Sequence, residues 1–392
     1  MSNQLSERIQ RVKPSPTLAI SALAAQLKAE GRDIISMGLG EPDFETPEHI
    51  KQAGIDAINN GLTRYTPVDG MPRLKQAVVD KFKRDNQLDY ELNQVLVSTG
   101  GKQGIYNLCQ AVLNNGDEVI IPAPYWVSYP DMVLLAGGKP VIAKAGQDTG
   151  FKLTPEILEA SITDKTRLFF INSPSNPTGV MYSKEELAAL GEVLLKYPNI
   201  IIATDDIYEH ILFENKTFNN IINATPELYD RTVILTGASK VYCMTGWRIG
   251  FSAGSADIIA AMKKVQSQST SNPCSIAQAA TIAALETDLS FLTPMLTAFS
   301  ERHKFVVDSL NKIDGISCLP SDGTFYSFPN VEGMIARIDG VNNDSELCSY
   351  ILDKTGVSIV PGSAFGLEGH MRLSYATSME NLEKALERIA SI

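Results

Sequence analysis

Six short apolar runs between residues 95 and 235, separated by amphipathic segments, constrain this chain more than any other feature. They are Val95–Val97, Val119–Ile121, Val141–Ile142, Leu168–Ile171, Ile200–Ile202 and Val233–Leu235. Each has strand length and is apolar at successive positions, the pattern of a strand covered on both faces. The intervening Gly104–Leu113 and Lys184–Leu195 read as helices, the second with Leu187, Leu190, Val193 and Leu194 on one side. The alternation predicts an α/β fold, a mostly parallel sheet between helices with ligands gathering at the carboxyl ends of its strands. A further helix is predicted at Thr17–Glu30, stopped by Gly31. From about Glu286 the alternation gives way to a long helical run reaching Leu310, further strands and a final helix, Met379–Ile389. The expected division is an N-terminal arm (1–45) packing with a smaller C-terminal α/β domain (286–392), and a large domain (46–285).

With 392 residues, 44% hydrophobic and 20% charged, the chain has the composition of a globular protein with a sizeable core. Its net charge of -11 opposes nucleic acid and anionic membrane surfaces, so neither partner is expected. A small anionic substrate is not opposed, because a few Arg and Lys residues set the potential inside a cleft. Five scattered cysteines without a C-x-x-C pair and four dispersed histidines predict no disulfide framework and no metal site. The first twenty residues lack the apolar centre of a secretory signal and no stretch reaches the length of a membrane span, so a cytoplasmic protein is expected.

The segment Thr236–Gly250, TGASKVYCMTGWRIG, carries the most chemical information. It places Lys240 just beyond a buried strand, and an amine near apolar walls and another cation has the depressed pKa that a Schiff-base lysine needs. Arg248 offers a planar fork suited to phosphate. Taken alone, a lysine after a strand is ordinarily a solvated surface residue.

This segment resembles the cofactor-lysine motif of the fold-type I aminotransferases, class I/II, in the bacterial aspartate and aromatic branch. Gly-Glu-Pro-Asp-Phe at 40–44, Arg-Tyr-Thr-Pro at 64–67, Ser-Pro-Ser-Asn-Pro-Thr-Gly at 173–179, Asp-Asp-Ile-Tyr at 205–208 and Met-Arg-Leu-Ser-Tyr at 371–375 match further landmarks in order along nearly the whole chain. The resemblance implies a seven-stranded, mostly parallel sheet and pyridoxal 5'-phosphate held on Lys240 as a Schiff base. It implies that Asp205 pairs with the cofactor's ring nitrogen, although that residue reads equally as a helix N-cap; Asp206 is then structural. Tyr208 and Asn176 are implied partners of the ring oxygen, although Asn-Pro-Thr-Gly alone is an everyday turn. Gly100, Gly101 and Lys102, where a strand meets a helix, are implied to hold the phosphate with Arg248. Trp126 is implied to stack on the ring, and Tyr65 to reach the phosphate of a neighbouring subunit, which requires a homodimer.

Arg372 matches the arginine that grips the substrate's α-carboxylate, and Gly40 the close backbone approach beside it. For a distal carboxylate the resemblance points to Lys102, Thr17 and Lys13, the last two reading equally as an ordinary helix entry. It also implies a cis Asn176–Pro177 bond. One position departs from the pattern: many relatives carry Ser or Thr three residues before the lysine, where this chain has Gly237, and Ser239 or backbone groups are the available substitutes. The implied activity is a ping-pong transfer of an amino group between an L-amino acid, with aspartate first, and a 2-oxo acid, with 2-oxoglutarate first. Aromatic, alanine and prephenate preferences are the alternatives. More distant are a β-lyase on the same fold and a ligand-sensing regulator, the latter opposed by the acidic charge and the absence of a DNA-binding segment.

Overall fold

The computed structural model describes residues 5–14, 16–214 and 216–392. Strand β1 (Ile35–Ser36) lies apart from a seven-stranded sheet built from β2 (Val95–Ser98), β3 (Glu118–Ala123), β4 (Lys139–Lys144), β5 (Thr166–Asn172), β6 (Ile201–Asp205), β7 (Thr232–Gly237) and β8 (Gly250–Ala253). The spatial order is β2-β8-β7-β6-β5-β3-β4. The neighbours from β7 to β4 are parallel, whereas β8 runs antiparallel to both β7 and β2. The six predicted strands are all present, and β8 is the one the apolar-run criterion passes over. Its sequence, Gly-Phe-Ser-Ala, carries one large apolar residue, and pairing on both edges makes it a strand.

The uniformly apolar runs resolve into two faces. Ile120, Phe169, Ile171, Ile202 and Ile234 belong to one core cluster, and Val119, Ile121, Leu168, Phe170, Ile201, Val233 and Leu235 to the other. Adjacent residues thus bury on opposite sides, as period-two strand geometry requires, and helices cover both. Lys184–Leu195 is a helix opened by a reciprocal Ser183–Glu186 cap. Gly101–Val112 starts three residues earlier than predicted, because Gly100 takes a positive φ of 80° and turns the chain directly from β2 into the helix.

The C-terminal residues add β9 (Tyr326–Ser327), β10 (Val357–Ser358), β11 (Val360–Pro361) and β12 (Met371–Ser374). β11, β12 and β9 form a small antiparallel sheet, and β1 pairs parallel with β10. The N-terminal segment is stitched in further: Met37 N–H donates to the Ser358 carbonyl at 2.8 Å, and Ser374 N–H to the Met37 carbonyl at 2.7 Å. The last helix, Met379–Ala390, buries Leu382, Ala385, Leu386 and Ile389, the i, i+3, i+4, i+7 stripe of an amphipathic helix. No described helix is long and apolar enough to cross a membrane.

Candidate active site

The carboxyl ends of five strands, β2, β3, β5, β6 and β7, deliver residues to one cleft of about 350 Å³. Of the residues singled out in the sequence, Thr17, Gly40, Gly101, Lys102, Trp126, Asn176, Asp205, Tyr208, Lys240, Arg248 and Arg372 line it. Gly100 lies directly beneath Arg248, where a Cβ would stand 2.2 Å from a guanidinium nitrogen.

Lys240 follows β7 by three residues, and its amine donates to the Gly40 carbonyl. Burial lowers its pKa to about 8; Glu41 opposes the shift, Arg372 and Arg248 add to it, and Asp205 opposes. The departure at Gly237 has a steric cause. A Cβ there would lie 2.8 Å from the Ile249 carbonyl oxygen and 2.9 Å from the Gly250 Cα, so the backbone crossing of β7 and β8 leaves no room for a serine or threonine. Ser239, buried and lining the cleft, is the nearby hydroxyl that remains.

Asp205 ends β6. Its carboxylate accepts the Tyr129 hydroxyl at 2.5 Å and the Ile207 N–H at 3.4 Å. Burial raises its pKa to about 6, with both hydrogen bonds and Lys240 holding it lower than burial alone would. Tyr129 is locked in turn, stacked on Phe170 at 4.8 Å and edge-on to Trp126 at 5.3 Å. Asn172, at the end of β5, ties two functional turns together: its amide donates to the Asp205 carbonyl at 2.7 Å and its side-chain oxygen accepts the Asn176 N–H at 2.8 Å. Asp206 bonds instead to Thr204 and Asn220, as a structural residue would; burial first and Glu209 second push its pKa up to about 8.

At the end of β2, Gly101 and Lys102, the first residues of the Gly101–Val112 helix, line the cleft. A Cβ on Gly250 would lie 2.3 Å from the Gly101 nitrogen, so three glycines bring backbone close to backbone around this point. Arg248, itself left-handed at φ 59°, donates to the Thr245 carbonyl at 2.8 Å. A helix N-terminus beside a guanidinium has the polarity that suits an anion. Lys102 also lines the cleft, its ammonium 4.9 Å from the Trp126 ring centroid. Withdrawal from water and repulsion from Arg248 lower its pKa.

On the opposite wall, β12 supplies Arg372, 3% exposed. One terminal nitrogen donates to Asn176 Oδ1 at 2.9 Å and the other to the Gly38 carbonyl at 2.6 Å. Its guanidinium carbon lies 4.5 Å from the Tyr326 ring centroid and 4.9 Å from that of Phe365. Nε is buried and has no partner among the described residues. Position 40 has room only for glycine, and the atom a side chain would strike is the Tyr326 hydroxyl, 2.4 Å from where a Cβ would stand.

Three expectations find no counterpart in the single chain. Lys13 is exposed and outside the cleft lining, its backbone N–H reaching Asp131 at 3.5 Å. Tyr65 is 93% exposed and also outside the lining. The cis bonds are Ala123–Pro124 and Ser173–Pro174, not Asn176–Pro177. Conversely, Tyr129, Asn172, Tyr326 and Ser21 belong to the site's walls or supports, and sequence reasoning misses them. Tyr129 carries a signal, its position three residues after Trp126 on the same chain turn. Ser21 lies one helical turn beyond Thr17, whose carbonyl its hydroxyl reaches at 2.9 Å. Tyr326 carries none, because only tertiary contacts bring it to the cleft.

The family model for aminotransferase class I and II matches residues 32–389. The aspartate/prephenate aminotransferase of Nitrosomonas europaea is 58% identical, with 99% of both chains covered. The crystal structure of the aspartate aminotransferase from Rhizobium meliloti superposes with a TM-score of 0.96 at 46% identity, covering 99% of this chain and 98% of that one. The aspartate aminotransferase of Thermus thermophilus, solved with maleate, gives a TM-score of 0.93 at 40% identity over 99% of both chains.

Proposed function

The chain belongs to the class I and II aminotransferases, and from that membership we propose that it moves the amino group of L-aspartate to 2-oxoglutarate in two half-reactions, using pyridoxal 5'-phosphate. The observation that carries this reading is the buried Arg372 guanidinium, held by Asn176 and the Gly38 carbonyl, on the wall of the same cleft that holds a depressed-pKa lysine. The site residues fit the cofactor. Gly100, Gly101, Ser239 and Arg248 would take its phosphate, Asp205 its ring nitrogen, Tyr208 and Asn176 its ring oxygen, and Trp126 its face.

When bound, pyridoxal phosphate supplies an aldehyde with which an amine condenses and a conjugated ring that accepts the electron pair released at the substrate's α-carbon. Lys240 serves as the covalent anchor and then as the general base. An amine with a pKa near 8 is roughly one-quarter neutral at pH 7.5, against about 0.1% for an ordinary lysine. Arg372 fixes the substrate's α-carboxylate and thereby the orientation of the Cα–H bond towards the amine. Asp205, ionised above its pKa of about 6, sustains a positive charge on the group beside it, and Tyr129 keeps that carboxylate oriented. Lys102, with Thr17 nearby, is proposed to take the distal carboxylate, which fits the dicarboxylate maleate with which the Thermus enzyme was solved. Lys13, on the exposed N-terminal stretch, enters this role only if that stretch closes over the cleft.

The division of labour follows the domains we assign: 46–285 binds the cofactor, while 286–392 with the 1–45 arm presents the substrate fork. We further propose a cytoplasmic homodimer in which Tyr65, 93% exposed in the single chain, completes the phosphate site of a second copy. A second reading, acceptance of prephenate, is favoured by the aspartate/prephenate name of the Nitrosomonas relative. Steady-state turnover with aspartate, tyrosine, phenylalanine, alanine and prephenate against their oxo-acid partners tests both. Preference for uncharged donors would reject the role given to Lys102; release of pyruvate and ammonia without an oxo-acid acceptor would point to β-elimination instead.

A further inference from the structure

Tyr326 meets three parts of the molecule, and nothing in the reaction as derived above uses it. It is fully buried on β9, where it pairs with Ser374 of the strand that carries Arg372. Its hydroxyl lies 2.9 Å from the hydroxyl of Tyr208, which follows β6 in the other half of the cleft. Gly40 lacks a side chain against that same oxygen. The Tyr326 ring is fixed by Arg372 on one side and by Phe325, 4.7 Å away between centroids, on another.

Two phenol hydroxyls at this distance share one hydrogen bond, in which either can be the donor. Their surroundings make the choice matter. Tyr208 has to offer its proton to the ring oxygen for the role given to it, and it can do so only if the bond from Tyr326 runs towards the Tyr208 oxygen. A hydroxyl that accepts one hydrogen bond while donating another is also the stronger donor, because the two bonds polarise each other. Simple packing would be served as well by phenylalanine, with which the Phe325 and Arg372 contacts survive and the cavity left is one oxygen atom in size.

We propose that Tyr326 is a positioning residue that orients the Tyr208 hydroxyl as a donor into the cleft and strengthens that donation. The inference rests on the cofactor-binding role proposed for Tyr208. Donation to the ring oxygen stabilises its anionic form and lowers the basicity of the nitrogen conjugated with it. Weakening the donor therefore raises the pH at which the bound cofactor's absorbance changes.

The test is a spectral pH titration of purified holoenzyme as wild type, Tyr326→Phe, Tyr208→Phe and the double variant, with thermal melts confirming that each is folded. The expected result for Y326F is an apparent pKa raised by roughly half a unit at unchanged cofactor stoichiometry. Y208F should show a larger rise, and Y326F should add nothing in the Y208F background, since its effect passes through that hydroxyl. An unmoved pKa in Y326F, or a full-sized shift persisting without the Tyr208 hydroxyl, overturns the inference while leaving the proposed function intact. A wild-type protein with no titrating chromophore overturns both.

Discussion

Removing the Tyr129 hydroxyl while keeping its ring isolates the electrostatics of Asp205. In Tyr129→Phe the stack on Phe170 is preserved, and the 2.5 Å donation to Asp205 Oδ2 is lost. A hydrogen bond to a charged acceptor contributes about 1.5–3 kcal/mol, which corresponds to a rise of roughly 1–2 units in the carboxyl's pKa. Starting from about 6, the Asp205 carboxyl of the cofactor-free variant should titrate near roughly 7.5. Ring-nitrogen pairing calls for the carboxylate, so cofactor affinity should follow the ionised fraction of Asp205 in the free protein. At pH 6.5 that fraction is about 0.76 in wild type and about 0.09 in the variant, a ratio of roughly eightfold, whereas at pH 8.5 the two differ by only about 10%. Equilibrium titration of the cofactor-free proteins with pyridoxal phosphate at both pH values measures the ratio directly. The phosphate titrates in the same range but contributes alike to both proteins, so it cancels. A Kd ratio that is the same at pH 6.5 and 8.5 would refute the assignment of Tyr129 as the group that keeps Asp205 ionised.

Replacing Arg372 by lysine keeps the charge and removes the fork, so kcat/KM should fall about 100-fold or more for every donor alike, because every donor has an α-carboxylate. Lys102→Ala should instead discriminate, raising KM for aspartate by roughly tenfold and leaving phenylalanine nearly unaffected; equal losses for the two donors would exclude a distal-carboxylate contact. Gly250→Ala places a Cβ 2.3 Å from the Gly101 nitrogen, where only backbone can yield, and should cost about 1–3 kcal/mol of stability together with weaker cofactor binding, read from a thermal melt and a binding titration. Asp206→Asn tests a buried acid whose folded pKa, about 8, stands above its ordinary 3.8. The stability it contributes is complete below pH 3.8 and is lost as pH rises towards 8, by at most ~1.4 kcal/mol per unit. The variant lacks this loss, so denaturant melts should show it gaining on wild type between pH 5 and 7.5; a constant gap would contradict the assignment.

Much of the seven-stranded sheet and its cleft can be read from the chain because the determinants are local. A strand buried on both faces must be apolar along its length, which exposes β2, β3, β5, β6 and β7; β4, at the sheet edge, is legible from Val141–Ile142 although Ile142 is 38% exposed. The residue that leaves such a strand at its carboxyl end enters the cleft whatever the helices do, and this brings Gly101, Asn176, Asp205 and Lys240 to its lining. The same locality explains what is not legible. β8 is a strand by virtue of its two neighbours, and its own Gly-Phe-Ser-Ala says little. Lys13 rests on a resemblance at a position whose backbone, just ahead of the Pro16–Ala29 helix, is exposed rather than directed by a strand.

The supporting residues are illegible for a different reason. Tyr129 and Asn172 reach Asp205 across 76 and 33 residues and Tyr326 reaches Tyr208 across 118, while Asn172 meets Asn176 only 4 residues away. No periodicity records such pairings, since each partner satisfies its own local pattern: Tyr129 reads as a helical aromatic, Asn172 as the polar end of a strand and Tyr326 as a strand residue. Their signature is instead an obligation. A buried carboxylate, a buried phenol and a buried guanidinium must each find hydrogen-bond partners, because leaving one unmet costs about 1–3 kcal/mol or more. Once Asp205, Tyr208 and Arg372 are assigned to a buried cleft, the chain must supply those partners somewhere. For Arg372 those partners are the Asn176 side-chain oxygen and the Gly38 carbonyl, drawn from two distant parts of the chain to hold the fork on the wall of the cleft.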